Sequence, residues 1–105
     1  MSVLVFFSMT PLGKGESVSE FVARVVDIVD KSGFEYVLTP MGTIFEAPDI
    51  DSAMKLLSDG LKALEQDCNR VSITAKIDYR NSPMGRLKSK VSSVKEHLGR
   101  DIKST

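Results

Sequence analysis

The run from Arg70 to Arg80 alternates almost without fault: Val71, Ile73, Ala75, Ile77 and Tyr79 at one parity, Ser72, Thr74, Lys76, Asp78 and Arg80 at the other. Successive side chains of a strand point to opposite faces, so the run predicts one long strand with an apolar side and a polar side. Such a strand needs a sheet to join and helices to roof its apolar face. The rest of the chain supplies both. Ser2 to Thr10 reads as a second strand ending at Pro11, with Val3, Val5, Phe7 and Met9 toward the helices and Leu4, Phe6, Ser8 and Thr10 away from them. Two short strands, Phe34–Thr39 and Thr43–Ala47, flank a Pro40-Met41-Gly42 turn and predict a hairpin. Its core side is expected to be Phe34, Tyr36, Leu38 and Phe45.

Helices are predicted between these strands. Ser17 and Glu20 have capping-box spacing, and Phe21, Val22, Val25, Ile28 and Val29 recur at helical spacing over residues 17–32, ending at Gly33. Pro48-Asp49 opens a second helix with Ala53, Met54, Leu57, Leu61 and Leu64 as its apolar stripe. Gly60 interrupts it at a cost of about 1 kcal/mol relative to Ala. After Asn81-Ser82-Pro83, a third helix carries the narrow stripe Leu87, Val91, Val94 and Leu98, enough to cover a partner or a sheet edge. The order β-α-β-β-α-β-α is the split βαβ pattern. It predicts an α+β, ferredoxin-like domain with a four-stranded antiparallel sheet in the order 4-1-3-2, plus a C-terminal helix.

One face of that sheet is left open. By parity it displays Leu4, Phe6, Val37 and Ile44 among the polar Ser8, Glu46, Thr74, Lys76 and Asp78. Burying four such apolar side chains is worth roughly 1.5–3 kcal/mol each, and a second sheet packed face to face is the simplest cover. Glu46 and Lys76 are expected about 10 Å apart across the first strand, close enough to bridge directly or through a small polar ligand.

Composition narrows the function classes. The 105 residues fit a single domain, and 14 Lys+Arg balance 14 Asp+Glu, without the basic excess of a nucleic-acid binder. One cysteine and one histidine make no disulfide and no zinc cluster. No membrane span or signal peptide is apparent, so a cytoplasmic location is expected. The Pro11–Ser17 loop lacks phosphate-loop spacing. Cys68 reads as inert, His97 as a surface residue at a helix C-terminus, and Arg86, Lys88, Lys90 and Lys95 as a solvated face.

Three segments carry a family resemblance: Met41-Gly42-Thr43-Ile44-Phe45-Glu46, Lys76-Ile77-Asp78-Tyr79-Arg80 and Lys90-Val91-Ser92-Ser93-Val94-Lys95. Together they resemble the thiamine-binding protein family, over essentially the whole chain. The resemblance implies a ferredoxin-like fold, sheet-to-sheet dimers pairing into homotetramers, and binding of thiamine or its hydroxymethylpyrimidine moiety. No triad, metal cluster or paired-carboxylate motif is found, so binding without catalysis and without a further cofactor is expected. A thiamine ligand would need a carboxylate such as Glu46 or Asp78 to balance its cation, and hydroxyls from Ser8, Thr43 and Thr74 for the pyrimidine edge. Phe6 would supply an aromatic wall, the Met41-Gly42 backbone a close approach, and Lys76 the polar counterpart of Glu46. Two alternatives stay open: a small enzyme using Glu46 and Lys76 as acid and base, or an oligomeric structural or regulatory module with a different ligand. An RNA-binding sheet is disfavoured by Glu46 and Asp78, which repel phosphate.

Overall fold

The computed structural model describes residues 1–104. Its elements run β1 (Ser2–Pro11), α1 (Ser19–Lys31), β2 (Tyr36–Thr39), β3 (Gly42–Ala47), α2 (Ile50–Glu65), β4 (Val71–Arg80) and α3 (Arg86–Leu98). The strands form one antiparallel sheet in the order β2-β3-β1-β4. This is the expected 4-1-3-2 order read from its other edge, with the βαββαβ core followed by the C-terminal helix.

The parity of β1 is realised as read. Val3, Val5, Phe7 and Met9 are buried against Val25 and Val29 of α1 and Ala53, Leu57 and Leu64 of α2. Phe45 sits between two rings, edge-on to Phe7 at 5.9 Å and stacked on Phe34 at 6.3 Å. Gly60 is explained by this packing: a Cβ there would lie 3.2 Å from both Met9 and Val25. The missing side chain lets α2 settle onto β1 and α1, which offsets its helix-propensity cost.

Helix boundaries follow sequence signals in two cases of three. Asp49 caps α2, accepting the Ser52 amide at 2.7 Å, and Gly33 takes φ +80° just past the end of α1. The Ser17–Glu20 capping box does not form. The Val18 carbonyl accepts the first helical amides, from Phe21 and Val22, so the helix begins one residue later than a Ser17 cap requires.

Other expectations need correction. Leu38 is exposed rather than core, because β2 is an edge strand that α1 only partly covers, and on α2 Leu56 points inward while Met54 is exposed. On β4 the apolar side does face the helix layer, yet Ile73, Ala75, Ile77 and Tyr79 are exposed. Of that side only Val71 packs against the core; the helices do not cover the remainder. The largest departure is α3. It lies on the sheet face away from α1 and α2, where Leu87 and Val91 share a cleft with Val37 and Ile44. Part of the open face is thus covered by the chain itself. Arg86, expected among solvated cations, is buried.

Candidate functional site

The strand register arranges the open face in rows across β1. Leu4 is flanked by Glu46 and Asp78, Phe6 by Ile44 and Lys76, and Ser8 by Thr74. Glu46 and Lys76 therefore sit in successive rows, and no ion pair joins them among the described residues. The expected Glu46–Lys76 bridge is replaced by a different arrangement.

Glu46 is almost wholly buried, and its carboxylate closes the N-terminus of α3. Oε2 accepts the Ser2 hydroxyl at 2.6 Å and the amides of Gly85 and Arg86 at 3.0 and 3.2 Å, while Oε1 accepts the Leu87 amide at 3.2 Å. A carboxylate here meets both the unpaired first-turn donors and the positive end of the helix. Gly85, at φ +113°, makes the turn that delivers those amides. The Arg86 side chain completes the clamp. Its Nε donates to Ser2 Oγ at 2.9 Å, Nη1 to Asp78 Oδ2 at 3.1 Å, and Nη2 to the Ser2 and Asp78 carbonyls at 2.9 and 2.7 Å. Lys90 donates to the same Asp78 oxygen at 3.3 Å.

Burial alone would push the Glu46 carboxyl up, but the bonds from Ser2, Leu87, Arg86 and Gly85 together outweigh it and hold it below the ordinary carboxylate value. Asp78 is also lowered, first by the hydrogen bond from Lys90, against partial burial, and then by Arg86. Both carboxylates assigned from sequence to a ligand's cation are thus placed in the joint that fastens α3 to the sheet.

The structure gathers four other candidates at the opposite end of the sheet. Ser8, Met41, Gly42 and Thr43 line a cavity of about 210 Å³ under the β2–β3 hairpin tip, closed on the helix side by Val18, the residue before α1, and Val22 of α1. Thr10 and Thr39 also border it, though parity turns their side chains, like that of Ser8, to the other face of the sheet, and no residue of its lining is charged. Thr43 is buried toward the helices, as its parity requires. Thr39 locks the tip: its hydroxyl donates to the Gly42 carbonyl at 2.8 Å and accepts the Met41 and Gly42 amides at 3.2 and 3.1 Å. An apolar groove between α1 and β2 runs into this cavity, sharing Val18, Val22, Val26 and Leu38. Phe6, Thr74 and Lys76 do not line the cavity. Among the described residues no group of His, Cys, Asp and Glu is placed to hold a metal ion, and no helix is long and apolar enough to cross a membrane.

Ser2, Thr10, Thr39 and Arg86 were missed from sequence. Thr39 had a usable signal, because a Thr just before Pro in a tight turn can bond the turn's own amides. Ser2 and Arg86 had none: they are 84 positions apart and meet only through the completed sheet.

Known proteins align over nearly the full chain. A family model described as thiamine-binding protein matches residues 5–95. The UPF0045 protein Mb1933 of Mycobacterium bovis is 35% identical over 98 residues, covering 93% of this chain and 96% of its own. A UPF0045 protein of Methanothermobacter thermautotrophicus is 37% identical over 93 residues, covering 87% and 94%. Among solved structures, hypothetical protein MJ1052 of Methanocaldococcus jannaschii superposes with a TM-score of 0.81 at 29% identity, over 90% of this chain and 97% of that one. A Thermotoga maritima protein named for thiamine biosynthesis or salvage superposes at 0.77 over 90% and 99%, and at 22% identity it speaks to the fold. With the family model spanning the first strand to the third helix, and relatives above 30% identity over almost all of their length, this chain belongs to the thiamine-binding protein family.

Proposed function

We propose that this chain binds thiamine or a related hydroxymethylpyrimidine without transforming it, as a homo-oligomer whose subunits pack sheet to sheet beside the site. The flat pyrimidine enters the cavity under the hairpin tip, and the thiazolium stays at its mouth. The observation that carries this reading is the cavity's chemistry: a small recess on the helix side of the sheet with apolar walls, the buried Thr43 as its inward hydroxyl, and no charged residue in its lining. A neutral ring bearing donors and acceptors along its edge fits such a lining, whereas a bare cation does not. At about 210 Å³ the recess is below the roughly 300 Å³ of a typical small-molecule pocket, which suits one ring rather than two. Glu46 and Asp78 are engaged in holding α3, so neither is free to act as the cation's counter-charge. The acid–base alternative loses its pair for the same reason, since Glu46 and Lys76 do not meet.

Calorimetric titration with thiamine, hydroxymethylpyrimidine and the isolated thiazole alcohol tests the proposal. Hydroxymethylpyrimidine is expected to bind within about tenfold of thiamine, a difference of 1.4 kcal/mol or less, and the thiazole fragment not to bind. Thr43→Val is expected to weaken both pyrimidine ligands by roughly fivefold, the worth of one neutral hydrogen bond. Thiazole binding without pyrimidine binding would overturn the assignment, as would full affinity in Thr43→Val.

A further inference from the structure

The groove that leaves the recess between α1 and β2 has a volume of about 1040 Å³, and its two ends differ in chemistry. Where it adjoins the recess its walls are Val18, Val22, Val26 and Leu38. Ser19, Ala23, Asp27 and Asp30 follow one another along α1 at the spacing that stacks side chains on one side of a helix, and Tyr36 lies across from them on β2. Asp27 and Asp30 are the charged residues of the lining, and no cation joins them there.

Asp30 stands against the preference of its own helix. It is the last residue but one of α1, at the end where unpaired carbonyls already carry negative partial charge and where cations are favoured. Lys31 balances Asp27 at 2.8 Å, but among the described residues Asp30 meets only a neutral donor, the Tyr36 hydroxyl at 2.7 Å. The groove thus ends in one uncompensated negative charge beside an aromatic ring. A phenol held by a carboxylate attracts a flat organic cation through the charge and the ring face together. In the recess, Thr43 is 4% exposed, and no hydrogen bond among the described residues uses its hydroxyl. That group is left for a ligand to satisfy.

We infer, resting on the pyrimidine's place in the recess proposed above, that this groove seats the cationic ring of an unphosphorylated thiamine-type ligand, over Tyr36 and beside Asp30 and Asp27, and discriminates against its phosphate esters. A ring projecting from the mouth of the recess enters the groove along its apolar walls and reaches the carboxylates at the far end. An ester carries its phosphoryl group on the same half of the molecule, and a phosphomonoester bears about −1.5 to −2 charges near neutral pH. In the groove that group faces two carboxylates and no cation of the lining, so repulsion offsets the attraction of the ring. The recess selects a pyrimidine, and the groove selects the charge of what is attached to it.

Calorimetric titration of the parent, Asp30→Asn and the double variant Asp27→Asn, Asp30→Asn with thiamine, thiamine monophosphate and the neutral hydroxymethylpyrimidine tests this assignment. Asparagine keeps an acceptor for the Tyr36 hydroxyl and removes the charge. Asp30→Asn is expected to bind thiamine roughly threefold more weakly, the worth of one exposed opposite-charge contact, and hydroxymethylpyrimidine as the parent does. The parent is expected to bind the monophosphate at least about fivefold more weakly than thiamine, and the double variant to narrow that ratio to within about twofold. Added salt is expected to weaken thiamine and leave hydroxymethylpyrimidine unchanged. Because Asp30 opposes the helix dipole, Asp30→Asn is expected to melt no lower than the parent, which separates lost affinity from lost structure. Equal thiamine affinity in the parent and the double variant, with hydroxymethylpyrimidine binding to both, overturns the inference and leaves the recess as the site. So does a monophosphate that binds the parent as tightly as thiamine. Hydroxymethylpyrimidine that fails to bind the parent overturns the reading of the recess instead, and with it the seat built upon it.

Discussion

Alanine at Glu46 is expected to remove about 3–5 kcal/mol of unfolding free energy, because several buried donors lose their acceptor at about 1–3 kcal/mol each. The carboxylate meets four donors at once: the Ser2 hydroxyl and the amides of Gly85, Arg86 and Leu87. Without it, the amides of the Gly85 cap and of Arg86 and Leu87 in the first turn of α3 lose their acceptor, and Ser2 is no longer held where it receives Arg86 Nε. Each buried group left unpaired costs about 1–3 kcal/mol. Glutamine at the same position retains one acceptor oxygen and about half the effect. Glu65, exposed at the end of α2, is the control, with alanine there expected within about 0.5 kcal/mol of the parent. Urea unfolding reads the energies. Native-state hydrogen exchange reads the place, because α3 should lose protection first while β1 and α2 keep theirs. A Glu46→Ala protein within about 1 kcal/mol of the parent would show that the clamp contributes no more than a surface contact.

The same group predicts an acid response. Glu46 titrates below its unfolded value, which is about 4.3 for glutamate. Its contribution is therefore fully present above that pH and is lost as pH falls through the lower folded-state value. Hydrogen-exchange protection of α3 should decline below about pH 4 in the parent, and this part of the decline should vanish in Glu46→Gln. An identical acid profile in the two proteins would remove Glu46 as its cause.

The difference between what could and could not be read from the sequence lies in the range of the interactions. Parity along β1 and β4 and the apolar stripes of the helices are local, and they delivered the elements and most of the core, while the sequence of elements delivered the strand order. Parity also told which way Glu46 and Asp78 point, but not what they meet. Glu46 occurs in a strand beside open-face residues, where a ligand or Lys76 was the natural partner. Its actual partners come from a turn some 40 positions later, and only the docking of α3 brings them there. Arg86 was hidden for the same reason: among spaced cations of a weakly amphipathic helix, nothing local marks the one that turns inward. The helix-side face of β4 failed differently. Alternation says that a strand has an apolar side, but the reach of the roof depends on how far two helices extend across four strands, a property of no single segment. Of the candidate site, the Met41-Gly42-Thr43 turn was legible because backbone approach and turn chemistry are short-range, and Ser8 follows Phe7, the partner of Thr43. Thr74 and Lys76 stand apart on the exposed polar face.

Gly42→Ala is expected to cost about 2–3 kcal/mol, at the upper end of overpacking penalties, and to abolish measurable pyrimidine binding. A Cβ at this position would lie 2.6 Å from the Phe7 carbonyl oxygen and 2.8 Å from two carbons of the Phe6 ring. The ring can swing aside. The carbonyl belongs to the central strand and cannot, so the hairpin tip must lift away from β1. That motion carries Met41 and Thr43, two walls of the cavity, and strains the Thr39 bonds that lock the turn. The constraint at Gly42 is space, since its φ is not among the positive values. Gly13 provides the contrast: φ is +80° with nothing within 4 Å of a new Cβ, so alanine there costs only the left-handed penalty of about 1–2 kcal/mol and leaves the cavity intact. Measured side by side in denaturant, Gly42→Ala should show the lower midpoint at an unchanged slope, and it alone should lose the ligand. If it binds the pyrimidine like the parent, the tip is not the wall of the site, and the recess beneath it is packing space rather than a binding pocket.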